Sequence, residues 1–377
     1  MTTAELLARI DAHLRPAIVA MLPPRFAVAF YSWARQVGIS ALAHSRVPEP
    51  YLPPPTAARQ VWGITFRSPL FNAAGMFKNG EGYMVAYLQG AGAYLVGTTT
   101  ALPRMGNIRR GIALPFVPYP RSRAASNWLG LPNPGHRAVA ARIAQLPRYP
   151  GFPIGASVAL DPGDSSRSAL ERLVEGMMLY ADAGVDFFEL NESCPNTEQD
   201  RAAFDALGER LTHIATRFLD RANKPVVVKL SADVTEASLE QVIPLLAQLG
   251  YSGITLGNTS TDYERLGSHI LPRERRAFSY FVRTFGGGIS GEPLRPKVLR
   301  FVAHAARMAK SLPHQFAIIA VGGIFSPAHL AEVFQSGATL AQWYTGYFDR
   351  FASDGHRVYA QMMNAYAQLT VSAPTID

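Results

Sequence analysis

From about residue 60 onward, short apolar runs alternate with longer amphipathic segments along the chain. Apolar runs of five or six residues suit buried strands, and the longer segments have the spacing of helices that cover a sheet. The predicted strands are 70–74, 93–98, 154–158, 187–191, 226–230, 253–258, 317–322 and 339–344. Helices are predicted at 170–183, 204–221, 239–249, 297–310 and 328–335. This alternation predicts parallel pairing, and eight units favour an α/β fold of the closed (β/α)8 TIM-barrel type.

Residues 1–46 follow a different pattern, which predicts a small amphipathic helical extension before the barrel. Apolar residues recur near helical spacing over 6–21, Pro23-Pro24 breaks the pattern, and a second short helix follows at 26–37. One interpretation is a helical pair packed on its own barrel. The other is that residues 1–40 form an apolar patch on a membrane surface, with arginines at the lipid headgroups.

The domain boundaries follow from composition. Residues 47–60 are predicted to be a stiff linker, because five prolines lie between positions 47 and 55. Residues 61–377 are assigned to the barrel. The chain is 48% hydrophobic and 17% charged, which provides for a large core and is not typical of disorder.

Composition also excludes several classes of protein. A single cysteine excludes an intramolecular disulfide framework and fits a reducing compartment. No uninterrupted apolar run is long enough to span a bilayer, and the first residues lack the order of a signal peptide. We therefore expect a cytoplasmic protein, peripheral on the cytoplasmic side of a membrane if the extension binds lipid. The net charge of +8 suits an anionic partner, but the arginines are scattered, which makes nucleic acid the least favoured partner. The pattern does not predict an oligomeric state.

The segment 186–197, DFFELNESCPNT, is the first candidate for chemistry. Its apolar strand ends in a polar turn, and barrels present catalytic groups at the carboxyl ends of their strands. The turn contains Asn191, Asn196 and Cys194, the only cysteine. A lone cysteine is more often a small buried hydrophobe, but the polar residues and proline around Cys194 favour a reactive thiol.

Two late segments have the composition of an anion site. Gly322-Gly323 follows an apolar strand, and Tyr344-Thr345-Gly346 follows the last one. The loops after strands seven and eight of such barrels commonly bind phosphate through backbone N–H groups. A tight turn explains a Gly-Gly pair equally well, so only the combination with the strand count favours a phosphorylated cofactor. There is no GxGxxG strand–turn–helix unit, which argues against a separate dinucleotide-binding fold.

Two lysines are further candidates. Lys229 ends the apolar strand VVVKL, where it either extends to solvent or pairs with buried negative charge; inside a barrel we favour the pair, with an electron-rich cofactor ring as the partner. Lys78 follows the first strand and either binds a carboxylate or lies in a solvated turn. Considered without the other motifs, its position favours the solvated turn.

Nine motifs together carry a family resemblance. They occur in order and are NAAGMFKNGEG (72–82), GTTT (97–100), NWLGLPNPG (127–135), NESCPNT (191–197), VVVKL (226–230), GNTS (257–260), GGGISGEPL (286–294), AVGGI (320–324) and WYTG (343–346). From about residue 60 to 350 the chain resembles the dihydroorotate dehydrogenases. That family comprises FMN-containing (β/α)8 barrels that oxidise dihydroorotate to orotate in pyrimidine biosynthesis.

The resemblance implies a role for each matching position. It implies that FMN is bound by Ala74, Gly75, Thr98, Ser157, Asn191, Lys229, Gly257, Gly291, Gly322, Gly323, Tyr344 and Thr345. It implies that the pyrimidine is bound by Lys78, Asn127, Trp128, Leu129, Gly130, Leu131, Asn191, Asn196, Asn258 and Thr259. Cys194 stands where the family has its catalytic base, and no metal is implied.

Elementary chemistry agrees with these roles. Oxidation of a C–C bond beside a carbonyl removes one proton and one hydride, and a thiolate is able to take the proton. Hydride then passes to the flavin, whose electronics respond to charges such as that of Lys229. Asparagine offers a donor and an acceptor to the amide-like edges of a pyrimidine. The Lys78 ammonium group is expected to pair with the carboxylate of the substrate.

The chain mixes features of the two classes of the family. Its extension, WGITFRSPL and KNGEG resemble the membrane-associated class that reduces quinone, whereas Cys194 and GLPNPG resemble the soluble class. The quinone class has serine as the base and asparagine in place of Ser157. It also has a quinone-tunnel arginine near 111–123, for which Arg121 and Arg123 are the candidates. In addition, the Pro-Gly pair that follows Asn196 in the family is absent.

We favour dihydroorotate oxidation with a membrane quinone as acceptor. The alternatives are the same barrel with a soluble acceptor such as fumarate, and a flavoprotein paralogue that acts on or senses a related pyrimidine. A dihydropyrimidine-reducing relative is disfavoured, because SCPN lacks the histidine that follows SCP in that family.

Overall fold

The structure is a computed structural model that describes residues 1–192 and 201–372. Cys194 and Asn196 lie outside the described residues. The strands in the described part of the chain are β1 (Arg59–Val61), β2 (Ile64–Phe66), β3 (Leu70–Asn72), β4 (Tyr94–Thr99), β5 (Ile108–Arg109), β6 (Ile112–Ala113), β7 (Phe116–Tyr119), β8 (Ala124–Asn127), β9 (Ile154–Val158), β10 (Phe187–Glu192), β11 (Val226–Leu230), β12 (Gly253–Leu256), β13 (Gly288–Gly291), β14 (Ala317–Val321) and β15 (Leu340–Trp343).

Helices connect and cover these strands. They are α1 (Thr3–Met21), α2 (Pro24–Ala43), α3 (Tyr83–Gln89), α4 (His136–Ile143), α5 (Arg167–Asp182), α6 (Arg201–Ile214), α7 (Asp220–Ala222), α8 (Glu236–Gln248), α9 (Tyr263–Ser268), α10 (Arg275–Phe285), α11 (Arg295–Ala309), α12 (Pro327–Gln335), α13 (Thr345–Asp354) and α14 (Val358–Ser372). A π-helical turn, Ala215–Leu219, separates α6 from α7.

Eight strands form one parallel sheet in the order β3-β15-β14-β12-β11-β10-β9-β4. Each corresponds to a predicted strand, with bounds within two residues of the prediction. The predicted α/β barrel class is therefore confirmed.

The Asn72 side chain joins the two ends of this sheet. Its Nδ2 donates to the carbonyl oxygen of Leu95 at 2.8 Å, and its Oδ1 accepts from the Leu95 N–H at 3.2 Å. The Gly75 N–H also donates to the Gly97 carbonyl oxygen at 2.6 Å. An amide side chain reproduces the donor and acceptor of a peptide group, so Asn72 closes the barrel between β3 and β4.

The amino-terminal end of the barrel is closed by apolar side chains. Strands β1 and β2 form a hairpin, from which Trp62 and Phe66 pack against Phe71 and Phe187 of the barrel strands. The Trp62 indole Nε1 donates to the Ser252 carbonyl oxygen at 2.9 Å. This packing leaves the carboxyl ends of the strands as the face on which a ligand site can form.

At the carboxyl face, the long segments 102–150 and 260–296 pair with each other. Strands β7, β8 and β13 form a three-stranded antiparallel sheet, in which Asn127 pairs with both Phe116 and Gly288. The sheet covers one side of the barrel mouth and carries Asn127 to its rim.

The helices α1 and α2, here called the helical hairpin, are 19 and 20 residues long and so are longer than predicted. The predicted break is correct, because α1 ends at Met21 and Pro24 occupies the first turn of α2, where its missing N–H costs nothing. Helix α2 continues past position 37 because Leu42 is buried. Helix α1 packs on α13, and α2 packs on β7 and α10.

A buried histidine fastens both ends of the helical hairpin to the barrel. His356 Nε2 lies 3.2 Å from Thr2 Oγ1, at the start of α1, and 2.8 Å from Ser45 Oγ, just after α2. The backbone N–H of His356 donates to Glu5 Oε1 at 3.1 Å. The Thr2 and Glu5 side chains also form a capping box at the start of α1. Burial lowers the pKa of His356, against a smaller opposing effect of Glu5.

Candidate active site

A cavity of about 270 Å³, here called the barrel cavity, opens at the carboxyl ends of the barrel strands. Most of the site residues named in the sequence analysis line it. Those implied for the cofactor are Ala74, Gly75, Thr98, Asn191, Lys229, Gly291, Gly322, Gly323, Tyr344 and Thr345. Those implied for the pyrimidine are Lys78, Asn127, Leu129, Gly130, Leu131, Asn191, Asn258 and Thr259. The fold therefore brings residues from across the chain to one place.

Three other predicted site residues do not line this cavity. Ser157 lies one layer deeper, where its Oγ is 2.9 Å from Thr98 Oγ1. Gly257 is required by backbone packing, because a Cβ at this position would lie 1.8 Å from the Val321 carbonyl oxygen. Trp128 packs against Phe285, with the Arg109 guanidinium over its ring, and so belongs to the cover of the site.

One side of the barrel cavity is suited to an anion. Gly291, Gly322 and Gly323 have φ values of 112°, 125° and 76°, which favour glycine and leave the backbone uncovered by side chains. Helix α13 begins at Thr345, whose Oγ1 lies 3.0 Å from Ser290 Oγ. Free N–H groups and the dipole of this ten-residue helix favour a phosphate at its start.

A chain of polar side chains crosses the floor of the cavity. Asn258 Nδ2 donates to Asn191 Oδ1 at 3.4 Å, and Asn191 Nδ2 donates to Thr98 Oγ1 at 3.1 Å. Asn191 and Asn258 therefore lie close enough to contact one small ligand. Both offer amide groups, which match the alternating N–H and C=O groups of a pyrimidine edge.

Lys229 is buried at the same floor, and its negative partner belongs to the protein. Its Nζ lies 3.3 Å from Glu189 Oε1 and 3.4 Å from Gln342 Oε1. The partner predicted from the sequence was an electron-rich cofactor ring, and Glu189 was not predicted. A signal was available, since Glu189 precedes Asn191 by two positions in a strand and so points to the same side.

Lys78 lies in the cavity wall and donates from Nζ to the Pro132 carbonyl oxygen at 3.1 Å. Burial and, to a smaller extent, the nearby Arg35 charge lower the pKa of Lys78 to about 7, against an opposing effect of Glu81. This position favours a ligand contact over the solvated-turn interpretation. A buried amine with one neutral acceptor is suited to receive an anionic group of a ligand.

A second cavity, of about 300 Å³, lies between the helical hairpin and the barrel and is here called the hairpin cavity. Its lining is mainly apolar and includes Leu7, Leu14 and Phe30. Arg35, Phe116, Tyr344 and Thr345 line both cavities, which are thus neighbours across these four side chains.

Arg35 of α2 is the charged group at this junction. Its Nη2 donates to the Tyr344 hydroxyl at 2.7 Å, its Nε donates to the same oxygen at 3.0 Å, and Nη2 lies 3.4 Å from the Gly75 carbonyl oxygen. Arg35 was not predicted from the sequence, although it shares a helical face with the buried Val28 and Tyr31.

Of the two arginines considered from the sequence for a quinone tunnel, only Arg123 lines the hairpin cavity. There it forms a 3.2 Å salt bridge with Glu292 and lies over the Phe325 ring. Arg121 is exposed and lines neither cavity; its backbone N–H donates to Glu274.

Comparison with known proteins finds relatives that match most of the chain. The family model of dihydroorotate dehydrogenase matches residues 56–362. A protein of Synechococcus sp. (strain JA-2-3B'a(2-13)) named dihydroorotate dehydrogenase (quinone) is 31% identical over 329 residues, which are 85% of this chain and 82% of the relative. A protein of the same name from Salinispora arenicola (strain CNS-205) is 33% identical over 303 residues, 78% of this chain and 81% of the relative.

Solved structures show the same fold. The crystal structure of DHODH from Eimeria tenella in complex with ferulenol superposes with a TM-score of 0.71 at 20% identity, over 90% of this chain and 92% of that one. The ligand-free structure of the Eimeria tenella protein gives the same TM-score and covers 95% of that chain. From the family match and the sequence relatives together, the chain belongs to the dihydroorotate dehydrogenase family.

Proposed function

We propose that this protein oxidises dihydroorotate to orotate with bound FMN and passes the electrons to a quinone. The observation that carries the proposal is the junction of two cavities of different chemistry at Arg35 and Tyr344. One cavity has a lysine, asparagines and uncovered glycines in its lining, and the other is lined mainly by apolar side chains. A polar carboxylate substrate and an apolar acceptor each have a matching site.

The residues of the barrel cavity fit FMN. The glycines at 291, 322 and 323 and the start of α13 suit its phosphate, and Lys229 with Asn191 and Thr98 supplies polar contacts for the ring. FMN bound there supplies a hydride acceptor beside the substrate. Ser157 is proposed to act through Thr98, and the assignments of Gly257 and Trp128 are proposed to be structural.

Side chains of the protein are proposed to bind the substrate and to remove its proton. Lys78 is proposed to bind the substrate carboxylate, and Asn127, Asn191, Asn258 and Asn196 its ring amides, with Leu129, Gly130, Leu131 and Thr259 completing the wall. Cys194 is proposed to take the proton, and Asn196, like Cys194, is assigned by sequence alone. Two electrons and two protons leave dihydroorotate, which balances the reduction of a quinone to a quinol.

Anaerobic titration of the FMN-loaded protein with dihydroorotate tests the proposal. The flavin absorbance is expected to bleach stoichiometrically, and a short-chain quinone is expected to restore it. Recovery with fumarate and not with quinone would reassign the acceptor. A flavin that dihydroorotate does not bleach would leave only binding or sensing of a pyrimidine.

The pKa of Lys78 leads to a pH-dependent prediction. Because this pKa is lowered from 10.5 to about 7 by burial and then by Arg35, the amine loses its proton as the pH rises above about 7. An anionic ligand prefers the protonated amine, so orotate affinity is expected to fall by up to about tenfold per pH unit above pH 7. Absorbance titrations with orotate at pH 6, 7, 8 and 9 measure this.

Lys78→Met is the matched variant for this titration. It is expected to bind orotate weakly at pH 6 and to lose the slope above pH 7. If Lys78→Met retains the slope of the wild-type protein, another group controls it and Lys78 does not bind the carboxylate.

The helical hairpin is proposed to bind a membrane surface. Its outer side exposes apolar side chains, among them Phe26 and Trp33 at 62% and 59% exposure. In the described part of the chain, no helix has both the length and the apolarity needed to cross a membrane. A peripheral site is the proposed location, on the cytoplasmic side. Such a site would bring the hairpin cavity, which this hairpin lines, close to membrane quinone.

Changing Phe26→Ser and Trp33→Ser together is expected to weaken vesicle binding by about thirtyfold, since about 2 kcal/mol of apolar burial is lost. Co-sedimentation with vesicles measures the affinity. Leu102→Ser with Leu369→Ser is the control, because these residues are 51% and 47% exposed outside the helical hairpin. Equal losses in the two double variants would contradict a site on α1 and α2.

A further inference from the structure

A carboxylate lies at the centre of the barrel, beneath the cavity. Glu189 of β10 has 0% exposure, and the barrel cavity does not reach it. Barrel interiors are usually filled with branched apolar side chains, and an ionised carboxylate among them is costly unless it is paired. Packing of the barrel core therefore does not by itself account for Glu189.

Each oxygen of this carboxylate accepts two hydrogen bonds. Oε1 accepts from Ser157 Oγ at 3.1 Å and from Lys229 Nζ at 3.3 Å. Oε2 accepts from Thr255 Oγ1 at 3.1 Å and from Gln342 Nε2 at 2.7 Å. The four donors come from four different barrel strands, so the geometry of the whole barrel fixes the carboxylate.

Of the four residues that donate to Glu189, only Lys229 carries a positive charge, and it also lines the barrel cavity. Lys229 is 3% exposed and lines the cavity floor, while its Nζ is held from below by Glu189 and Gln342. These two contacts restrict both the position of the Lys229 ammonium group and the direction of its long, flexible side chain. Any ligand ring lying on this floor faces a paired ammonium group and not a free one.

We propose that Glu189 is a positioning residue that holds the Lys229 ammonium at the cavity floor and sets the net charge beneath bound FMN. This inference rests on the proposed binding of FMN. Without the carboxylate, the floor is more positive by one charge, which favours the electron-rich reduced flavin over the oxidised one. Without the ammonium, the carboxylate is unpaired and favours the oxidised flavin.

The measurement is the two-electron midpoint potential of the FMN-loaded protein, taken with reference dyes from pH 6 to pH 9. In Glu189→Gln the preference for reduced over oxidised FMN is expected to rise at least tenfold, a shift of about +30 mV. In Lys229→Met it is expected to fall at least tenfold. In Glu189→Gln/Lys229→Met, where neither charge remains, it is expected to return to within threefold of the wild-type value.

Two further variants separate the charge of Glu189 from its packing. Glu189→Asp keeps the charge and is expected to move the preference less than Glu189→Gln does. Thr255→Val removes one donor at the same depth without changing the charge, so it is expected to leave the potential unchanged even if it lowers the melting temperature. Visible absorbance of bound FMN and circular dichroism report whether each variant folds.

If Glu189→Gln fails to fold, Lys229→Met and the double variant carry the test. The inference is overturned if both charge variants remain within threefold of the wild-type preference across the pH range, or if Thr255→Val shifts it as far as Glu189→Gln does. A wild-type protein that binds no FMN contradicts the proposed function. A wild-type protein that binds FMN and is bleached by dihydroorotate, with no shift in the charge variants, contradicts this inference alone.

Discussion

Cys194→Ala is expected to retain FMN and to slow its reduction by dihydroorotate by roughly 10²- to 10⁴-fold, the range of general-base catalysis. The expectation rests on the sequence, in which Cys194 follows Asn191 by three positions, and on Asn191 lining the barrel cavity. Alanine has no group to accept the proton, while the glycine and lysine contacts proposed for FMN remain. Anaerobic stopped-flow absorbance measures the rate.

Cys194→Ser is the control for this loss. A hydroxyl fills nearly the same space but ionises far less readily than a thiol, so reduction is expected to be partly retained and to gain speed at higher pH. Orotate affinity is expected to change little in either variant. Flavin reduction at the wild-type rate in Cys194→Ala would remove Cys194 as the base.

Arg35→Met is expected to slow reoxidation of the flavin by quinone by about 10- to 100-fold, the value of a hydrogen bond from a charged donor. Arg35 holds the Tyr344 hydroxyl through two nitrogens where the two cavities meet, so it is a charged donor for a quinone oxygen at that end of the hairpin cavity. Reduction by dihydroorotate is expected to remain within about threefold, because no contact proposed for the substrate is removed. Separate stopped-flow measurements of the two half-reactions decide the result.

A second readout follows from the same variant. After burial, the Arg35 charge is the next cause of the low pKa of Lys78. Removing that charge is expected to raise the pKa of Lys78, so the loss of orotate affinity should begin at a higher pH than in the wild-type protein. A purely structural defect would not move this pH in a defined direction.

Arg121→Met is the matched control, because Arg121 is an exposed arginine that lines neither cavity. Both half-reactions are expected to match the wild-type rates. Slowing of quinone reduction in Arg121→Met, with none in Arg35→Met, would place the tunnel arginine in the segment 111–123 and not in α2.

The pattern of apolar and polar positions was sufficient for the barrel and for most of its cavity. Strand identity follows from local composition and spacing, and the carboxyl ends of parallel strands necessarily meet at one face. Asn191 and Lys229 could thus be assigned to one face from the pattern, whereas Lys78 was assigned to the site only through the family resemblance. The break between α1 and α2 was equally local, because two adjacent prolines determine it.

Tertiary structure decided which side chains meet across the barrel and across the hairpin. Gln342 is far from Glu189 and Lys229 in the sequence, and only closure of the sheet brings its side chain to both of them. Arg35 reaches Tyr344 only because α2 packs beside the barrel mouth. Such contacts depend on the relative placement of distant elements, which local periodicity does not encode. For this reason the sequence by itself determined the barrel and most of the predicted members of its site, and the fold alone determined the charge beneath the cavity and the arginine between the two cavities.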